Sequence, residues 1–164
     1  TSGARLIYTL NGSAPSLTNG VSVNPPTADA HAAITLTIRS NAFIRAAAFR
    51  TGFEPSPSVT QTYLFLDEVA RQPVRPPGLP AFWPDGAATD IEVDPAIVNS
   101  TQPGYGFAAA LRSLPIVSLV ADPADFFDAT MGIYANAEQK GDAWERAGSV
   151  EWLDPAGGPD FQVN

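Results

Sequence analysis

Short alternations of apolar and polar residues mark the first third of the chain. Residues 5–10 (Arg-Leu-Ile-Tyr-Thr-Leu) read as a strand stopped by Asn11-Gly12, a pair that tolerates positive φ and so makes a strong turn. Residues 34–39 set Ile34, Leu36 and Ile38 against Thr35, Thr37 and Arg39, a period of two with one buried face. Residues 43–50 are ambiguous because their alanines favour helix. Read with period two, Ile44, Ala46 and Ala48 share a face opposite Phe43, Arg45, Ala47 and Phe49, and the flanking Ser40-Asn41 and Thr51-Gly52 turns limit the segment to strand length. Residues 58–66, rich in β-branched and aromatic side chains, close the unit. Four strands with turns between them predict a small Ig-like β-sandwich over residues 1–66.

The pattern then changes. Residues 67–106 form a Pro-rich connector, with Gln72-Pro-Val-Arg-Pro-Pro-Gly-Leu-Pro80 and Trp83-Pro-Asp-Gly86 resisting both helix and ladder pairing. Phe82, Trp83, Ile91, Val93, Ile97 and Val98 are too apolar for a free linker, so the connector is expected to be ordered against a neighbouring surface. Residues 107–164 read as a second β-rich unit with one or two short helices. Residues 107–113 predict a helix stopped by Pro115, and the apolar run 116–121 predicts a central strand. Asp122-Pro123 is an N-cap with proline at the first helical position, starting a helix through Phe127. Residues 132–136, 149–153 and 161–163 read as strands, with turns at Asp154-Pro155 and Gly157-Gly158. The fold class expected is mainly β, and the 16 Pro and 13 Gly agree with short strands joined by turns.

Charge sharpens the division. The net charge is −8, yet residues 1–66 carry +2 and residues 67–164 carry −10. An acidic surface repels phosphate, so nucleic acid and anionic membranes are poor partners, and no apolar run approaches the ~20 residues that span a bilayer. Cysteine is absent, which removes disulfides, thiolate nucleophiles and cysteine-based zinc sites. No signal-peptide pattern opens the chain, and the start at Thr1 is the expectation for a processed or excised piece.

Catalytic groups are sparse. His31 is the single imidazole; a general base or metal ligand is one reading, and an exposed loop histidine is the simpler one. Asp122, Asp125 and Asp128 lie three apart and could gather oxygens for calcium, although the segment lacks the alternating-oxygen pattern of a calcium loop and Asp122 alone would serve as a helix cap. Spacing cannot pair Glu145 or Glu151 with a second carboxylate across a cleft, as glycoside hydrolysis requires. No Gly-rich loop precedes a lysine for phosphate binding. The chain is therefore expected to be non-catalytic, without cofactor or metal. Aromatic residues offer other chemistry. Trp83 and Trp144 sit beside turns and Tyr134 lies in the strand-like segment 132–136; such flat rings stack on sugars if exposed and fill the core if not, and for Trp152, inside a strand, core packing is favoured.

Two stretches carry family likenesses. Ile7-Tyr8-Thr9-Leu10-Asn11-Gly12-Ser13-Ala14-Pro15, with Ile44-Arg-Ala-Ala-Ala-Phe-Arg-Thr-Gly52 and Pro55-Ser56, resembles the chitobiase C-terminal-like, fibronectin-III-associated module. That family shows a Tyr-Thr-x-Asp-Gly-Ser-x-Pro turn and then an Ile-x-Ala-x-Ala strand; Asn11 replaces its Asp and keeps the turn chemistry. The likeness covers residues 1–66 and implies a first strand before Thr1. Leu111-Arg-Ser-Leu-Pro115 through Asp122-Pro123, then Gly132-Ile-Tyr-Ala-Asn136, Gly141-Asp-Ala-Trp-Glu-Arg146 and Ser149-Val-Glu-Trp-Leu-Asp-Pro155, resembles the opening of CotH-type (spore-coat H-like) proteins over residues 107–164. In that family the stretch leads into a kinase-like domain whose catalytic residues lie further along, so no kinase role passes to any residue here. Together the likenesses imply an accessory module of a secreted bacterial multidomain protein, extracellular, with polysaccharide and neighbouring domains as partners. The alternatives are the leading part of a CotH-type protein, inactive alone, and a structural spacer.

Overall fold

The computed structural model describes residues 1–155 and 161–163. Within them the chain is mainly β, with two antiparallel sheets and a few short helices. The first sheet has strand order β2-β1-β3-β4, from β1 (Arg5–Thr9), β2 (Val21–Val23), β3 (Ala42–Phe49) and β4 (Val59–Tyr63). The second has order β5-β6-β7, from β5 (Ile116–Ala121), β6 (Gly148–Leu153) and β7 (Phe161–Val163). Between the sheets in sequence lie α1 (Leu66–Val69), α2 (Pro95–Val98) and α3 (Phe107–Arg112); α4 (Pro123–Phe127) and a 3-10 turn (Asp142–Trp144) follow β5.

The ambiguous segment 43–50 is a strand, the long β3 at the centre of its sheet. Its alanines are small where neighbours come close: Ala47 lies opposite Ile7, and Ala46 opposite the buried Tyr8. Residues 34–39, by contrast, form no strand. The alternation survives as burial, with Leu36 and Ile38 half-buried and Thr35, Thr37 and Arg39 exposed, but no ladder forms. Both edges of β1 are already taken, by β3 and by the three-residue β2, which pairs Val21 with Tyr8 and Val23 with Leu6. Gly20, at φ 114°, makes the approach to β2 feasible: a Cβ there would lie 2.6 Å from the Tyr8 carbonyl oxygen.

Asn11-Gly12 makes the predicted turn. Asn11 Oδ1 accepts from the Ser13 amide (3.2 Å) and the Ser13 hydroxyl (2.7 Å), while Asn19 Nδ2 donates to Ser13 Oγ and the Ala14 carbonyl. Gly12 has φ 79°, and a Cβ on it would stand 3.0 Å from Val120 Cγ1 of β5. The turn therefore lies directly against the second sheet.

Register sets the inner faces. Thr60 and Thr62 of β4 lie opposite Arg45 and Phe43, on the same face as Ile7 and Ala47. In the second sheet Ser118 faces Glu151 and Val120 faces Ser149 across the β5–β6 ladder. These two faces meet, so the layers of the sandwich come from opposite ends of the chain. The junction is polar. Glu151 Oε1 accepts from the Thr62 backbone amide (3.1 Å), and Glu151 Oε2 accepts from the Thr62 hydroxyl. With its proton so committed, Thr62 Oγ1 accepts from Ser118 Oγ (2.7 Å). Ser149 Oγ donates to Thr60 Oγ1 (2.6 Å). All five residues are buried.

Arg45 and Glu151 are the two buried charged residues among those described, one from each sheet. They form no ion pair within 4 Å: Arg45 Nη1 donates to the Gly12 carbonyl (3.3 Å), and its Nε has no partner. Arg50 donates to the Ser2 carbonyl and lies over the Phe53 ring. The two units thus meet through hydroxyls, one carboxylate and a backbone amide rather than by matching opposite surface charges.

The second unit departs from expectation at residues 132–136, which are a turn and not a strand. The Gly132 amide donates to the Asp128 carbonyl (2.8 Å), Ile133 to Asp125 (2.8 Å) and Tyr134 to Phe126 (3.0 Å), folding the segment back over α4. Gly132 is required by space, since a Cβ would lie 2.5 Å from the Phe126 carbonyl oxygen and 2.6 Å from the Asp128 amide. α4 starts as predicted, with Asp122 accepting from the Ala124 amide (3.0 Å), and α3, β5 and β6 fall where the pattern placed them. β7 also matches its pattern, whereas the Gly157-Gly158 turn lies outside the described residues.

Replacing Glu151 with Leu removes the acceptor of two Thr62 donors and is expected to cost about 1–3 kcal/mol. Combined with Thr62→Val in a double-mutant cycle, it should show a coupling of ~0.5–3 kcal/mol in urea-unfolding midpoints. Separate transitions for the two sheets, with no coupling, would contradict a shared interior.

Candidate functional site

The connector is a folded structure. Its central part is a small hairpin in which Thr89 donates through its amide to the Ala81 carbonyl (3.1 Å) and through Oγ1 to the Pro80 carbonyl (2.7 Å). The tip is the Trp83-Pro-Asp-Gly86 turn: the Gly86 amide donates to the Trp83 carbonyl (2.9 Å), and Asp85 accepts from the Ala87 amide (3.0 Å). The sequence features that resist helix and ladder thus shape this tip, which carries Phe82 and Trp83 outward.

Trp83 meets Tyr134 there, although 51 residues separate them in sequence. Their ring centroids are 4.9 Å apart and the planes stand at 60°, an edge-to-face contact. Phe127, at the end of α4, completes the cluster at 6.1 Å from Trp83 and 5.8 Å from Tyr134. A cleft of about 260 Å³ opens beside these rings, walled also by Phe82, Pro80 and Pro84. Tyr134 and Phe82 are exposed and Trp83 is half-buried. The tilted rings give the cleft walls rather than one flat platform.

Trp144 stands apart and makes no ring contact with this cluster. It ends the 3-10 turn with the Arg146 guanidinium 5.6 Å above its ring. Arg146 in turn donates through Nη2 to the Met131 carbonyl (2.6 Å) and through Nη1 to the Ala143 and Glu145 carbonyls. One arginine thus ties the Trp144 segment to the turn that carries Tyr134. Of the residues singled out from sequence, two converge and the third is linked to them through the backbone. Phe82 and Phe127 were missed as partners. The signal for Phe127 was present, because the Asp122 cap counts out one helical turn and sets where Phe126 and Phe127 emerge.

The three aspartates take separate partners. Asp122 caps α4, Asp125 lies 3.8 Å from Arg146 Nε, and Asp128 Oδ1 accepts from the Thr130 (2.8 Å) and Met131 (2.9 Å) amides. No group of three metal-ligating side chains gathers among the described residues. His31 is exposed in an irregular loop. Trp152 lies parallel to Phe161 across the β6–β7 ladder, at 6.2 Å and 7°. That pair belongs to the outer face of the second sheet, where Val117, Leu119, Val150, Phe161 and Val163 are exposed.

Fold and site together define a β-rich, two-sheet assembly with a connector-borne aromatic cleft. Residues 1–63 match the family model described as Fn3 associated, in agreement with the turn and alanine-rich strand of the fibronectin-III-associated module. The match ends before the connector, the cleft and residues 107–164. No curated protein and no solved structure matches the chain.

The amides of Thr130 and then Met131 hold the Asp128 carboxyl below the ordinary aspartate value of 3.8. A depressed folded-state pKa stabilises above the unfolded value and loses its effect as pH falls through the folded one. The turn under Tyr134 should therefore stay closed at pH 5 and loosen below pH 3.8, read as a change in aromatic fluorescence. Asp128→Asn, which keeps the acceptor oxygen without the titration, should flatten that dependence.

Proposed function

We propose that the chain is a non-catalytic accessory module of a secreted or cell-surface bacterial multidomain protein, and that its aromatic cleft contacts polysaccharide. The observation that carries this reading is the convergence of Trp83 and Tyr134 with Phe127 at an exposed hairpin tip. Such rings offer π faces and edges to the C–H groups of a sugar, and the Tyr134 hydroxyl offers a hydrogen bond. At about 260 Å³ the cleft is small against the ~300–1,000 Å³ of sites for larger ligands, and suits one or two sugar rings at a chain surface. The match of residues 1–63 to the Fn3-associated family supports the accessory role.

Sedimentation with insoluble cellulose, chitin and xylan tests the reading. The chain is expected to be retained on at least one polymer. Trp83→Ala and Tyr134→Ala should each lower retention at least tenfold. Trp144→Ala should also abolish retention while leaving the melting temperature within a few degrees, because Arg146 couples its segment to the cleft. Absence of retention on all three polymers would leave the rings as packing and the chain as a spacer between domains.

A second reading takes residues 107–164 as the leading part of a CotH-type, kinase-like domain. The outer face of β5, β6 and β7 favours it, because an exposed apolar sheet face is what a further layer would cover. On this reading the chain alone shows no saturable magnesium–ATP binding by calorimetry. Binding would place nucleotide contacts within these residues and contradict it.

A further inference from the structure

A larger cavity adjoins the aromatic cleft at Phe127, which lines both. Its volume is about 760 Å³, and it is walled by the connector, α1, α3, α4 and both sheets, with Phe43, Val69, Leu79, Leu111, Val120 and Phe126 among its apolar lining. No charged side chain lines it, although the chain carries a net −8. The polar side chains in the wall are Asn11, Asn41 and Gln72, and each is held at one end of its amide by its own chain. Asn11 Oδ1 accepts from Ser13, Asn41 Oδ1 from the Phe65 amide (2.6 Å), and Gln72 donates through Nε2 to the Ile91 carbonyl.

We propose that this cavity binds a neutral aliphatic small molecule, of the fatty-alcohol or acyl-ester class. Three properties of the wall select that occupant. Its volume falls within the ~300–1,000 Å³ range of small-molecule sites. With only three polar side chains in an otherwise apolar lining, the wall cannot match the many hydroxyls of a sugar or the repeated amides of a peptide, and each group left unmatched is costly in an apolar site. With no cation in the wall, a carboxylate or phosphate head would be stranded. An alkyl chain asks for none of these and adapts its torsions to an irregular wall. The site shares Phe127 with the polysaccharide cleft, but of the two Val69 and Leu111 line only this cavity and Trp83 and Tyr134 only the cleft, so either proposal can fail without the other.

Titration with the neutral fluorescent probe N-phenyl-1-naphthylamine, displaced by 1-alkanols of six to twelve carbons, tests the inference. Displacement should strengthen about fourfold per added methylene until the cavity is filled, and then level off. Decanoate at pH 8 should displace at least tenfold more weakly than decanol. Val69→Trp and Leu111→Trp, each filling the cavity from a different wall, should lower probe affinity at least tenfold. Val163→Lys, on the outer face of β7, should leave it unchanged. Two filling variants keep the test valid if one fails to fold, as judged by far-UV circular dichroism. Absence of probe uptake, uptake indifferent to a folded filling variant, loss of uptake in Val163→Lys, or stronger displacement by decanoate would each overturn the proposal.

Discussion

The Glu151 carboxylate is the interaction on which the arrangement depends. β4 is an edge strand, and the backbone amide of Thr62 points away from the ladder with β3. An edge amide facing a second layer must find an acceptor or lose stability. Glu151 supplies one oxygen to that amide and the other to the Thr62 hydroxyl, so a single side chain of β6 fixes both the height and the lateral position of β4. Ser118 and Ser149 complete the set from the same face. Apolar contacts are non-directional and tolerate sliding; these hydrogen bonds do not. The interface therefore specifies one register between two sheets built from opposite ends of the chain.

That register determines where everything else can lie. With β5 placed against the Gly12 turn, α4 follows directly from its end and carries Phe126 and Phe127 with it. The connector must then cross from β4 to α3 over the same region, so its hairpin tip reaches Phe127 and Tyr134. Cleft and cavity are consequences of this crossing.

Much of the local structure could be read from residue order, because it rests on local chemistry. The Asn11-Gly12 turn, the Asp122-Pro123 cap and the apolar run 116–121 each carry their own physical cause and appear where expected. Residues 34–39 misled because alternation reports one buried face and says nothing of ladder pairing; the place beside β1 belongs to Val21–Val23. Val21–Val23 was too short to be recognised, and Gly132 read as strand because its reason for being glycine lies in the α4 backbone. The candidate site divides along the same line. Single aromatic residues near turns could be picked out, but their meeting depends on contacts made far apart in the chain. Glu151 is the sharpest case, since an acidic residue inside an alternating strand looks like a solvent-facing position until its partner strand is known.

The outer face of the second sheet has a colloidal consequence. Five exposed apolar side chains there form the kind of contiguous patch through which molecules adhere. The same half of the chain, residues 67–164, carries a net charge of −10, so two patches can approach only by bringing two acidic bodies together. Charge thus acts as the keeper of solubility for a surface that apolar area alone would make adhesive. That protection has a range of only ~8 Å at physiological ionic strength and shrinks as salt is added. The protein's dispersion in solution is accordingly a property of its ionic surroundings as much as of its fold.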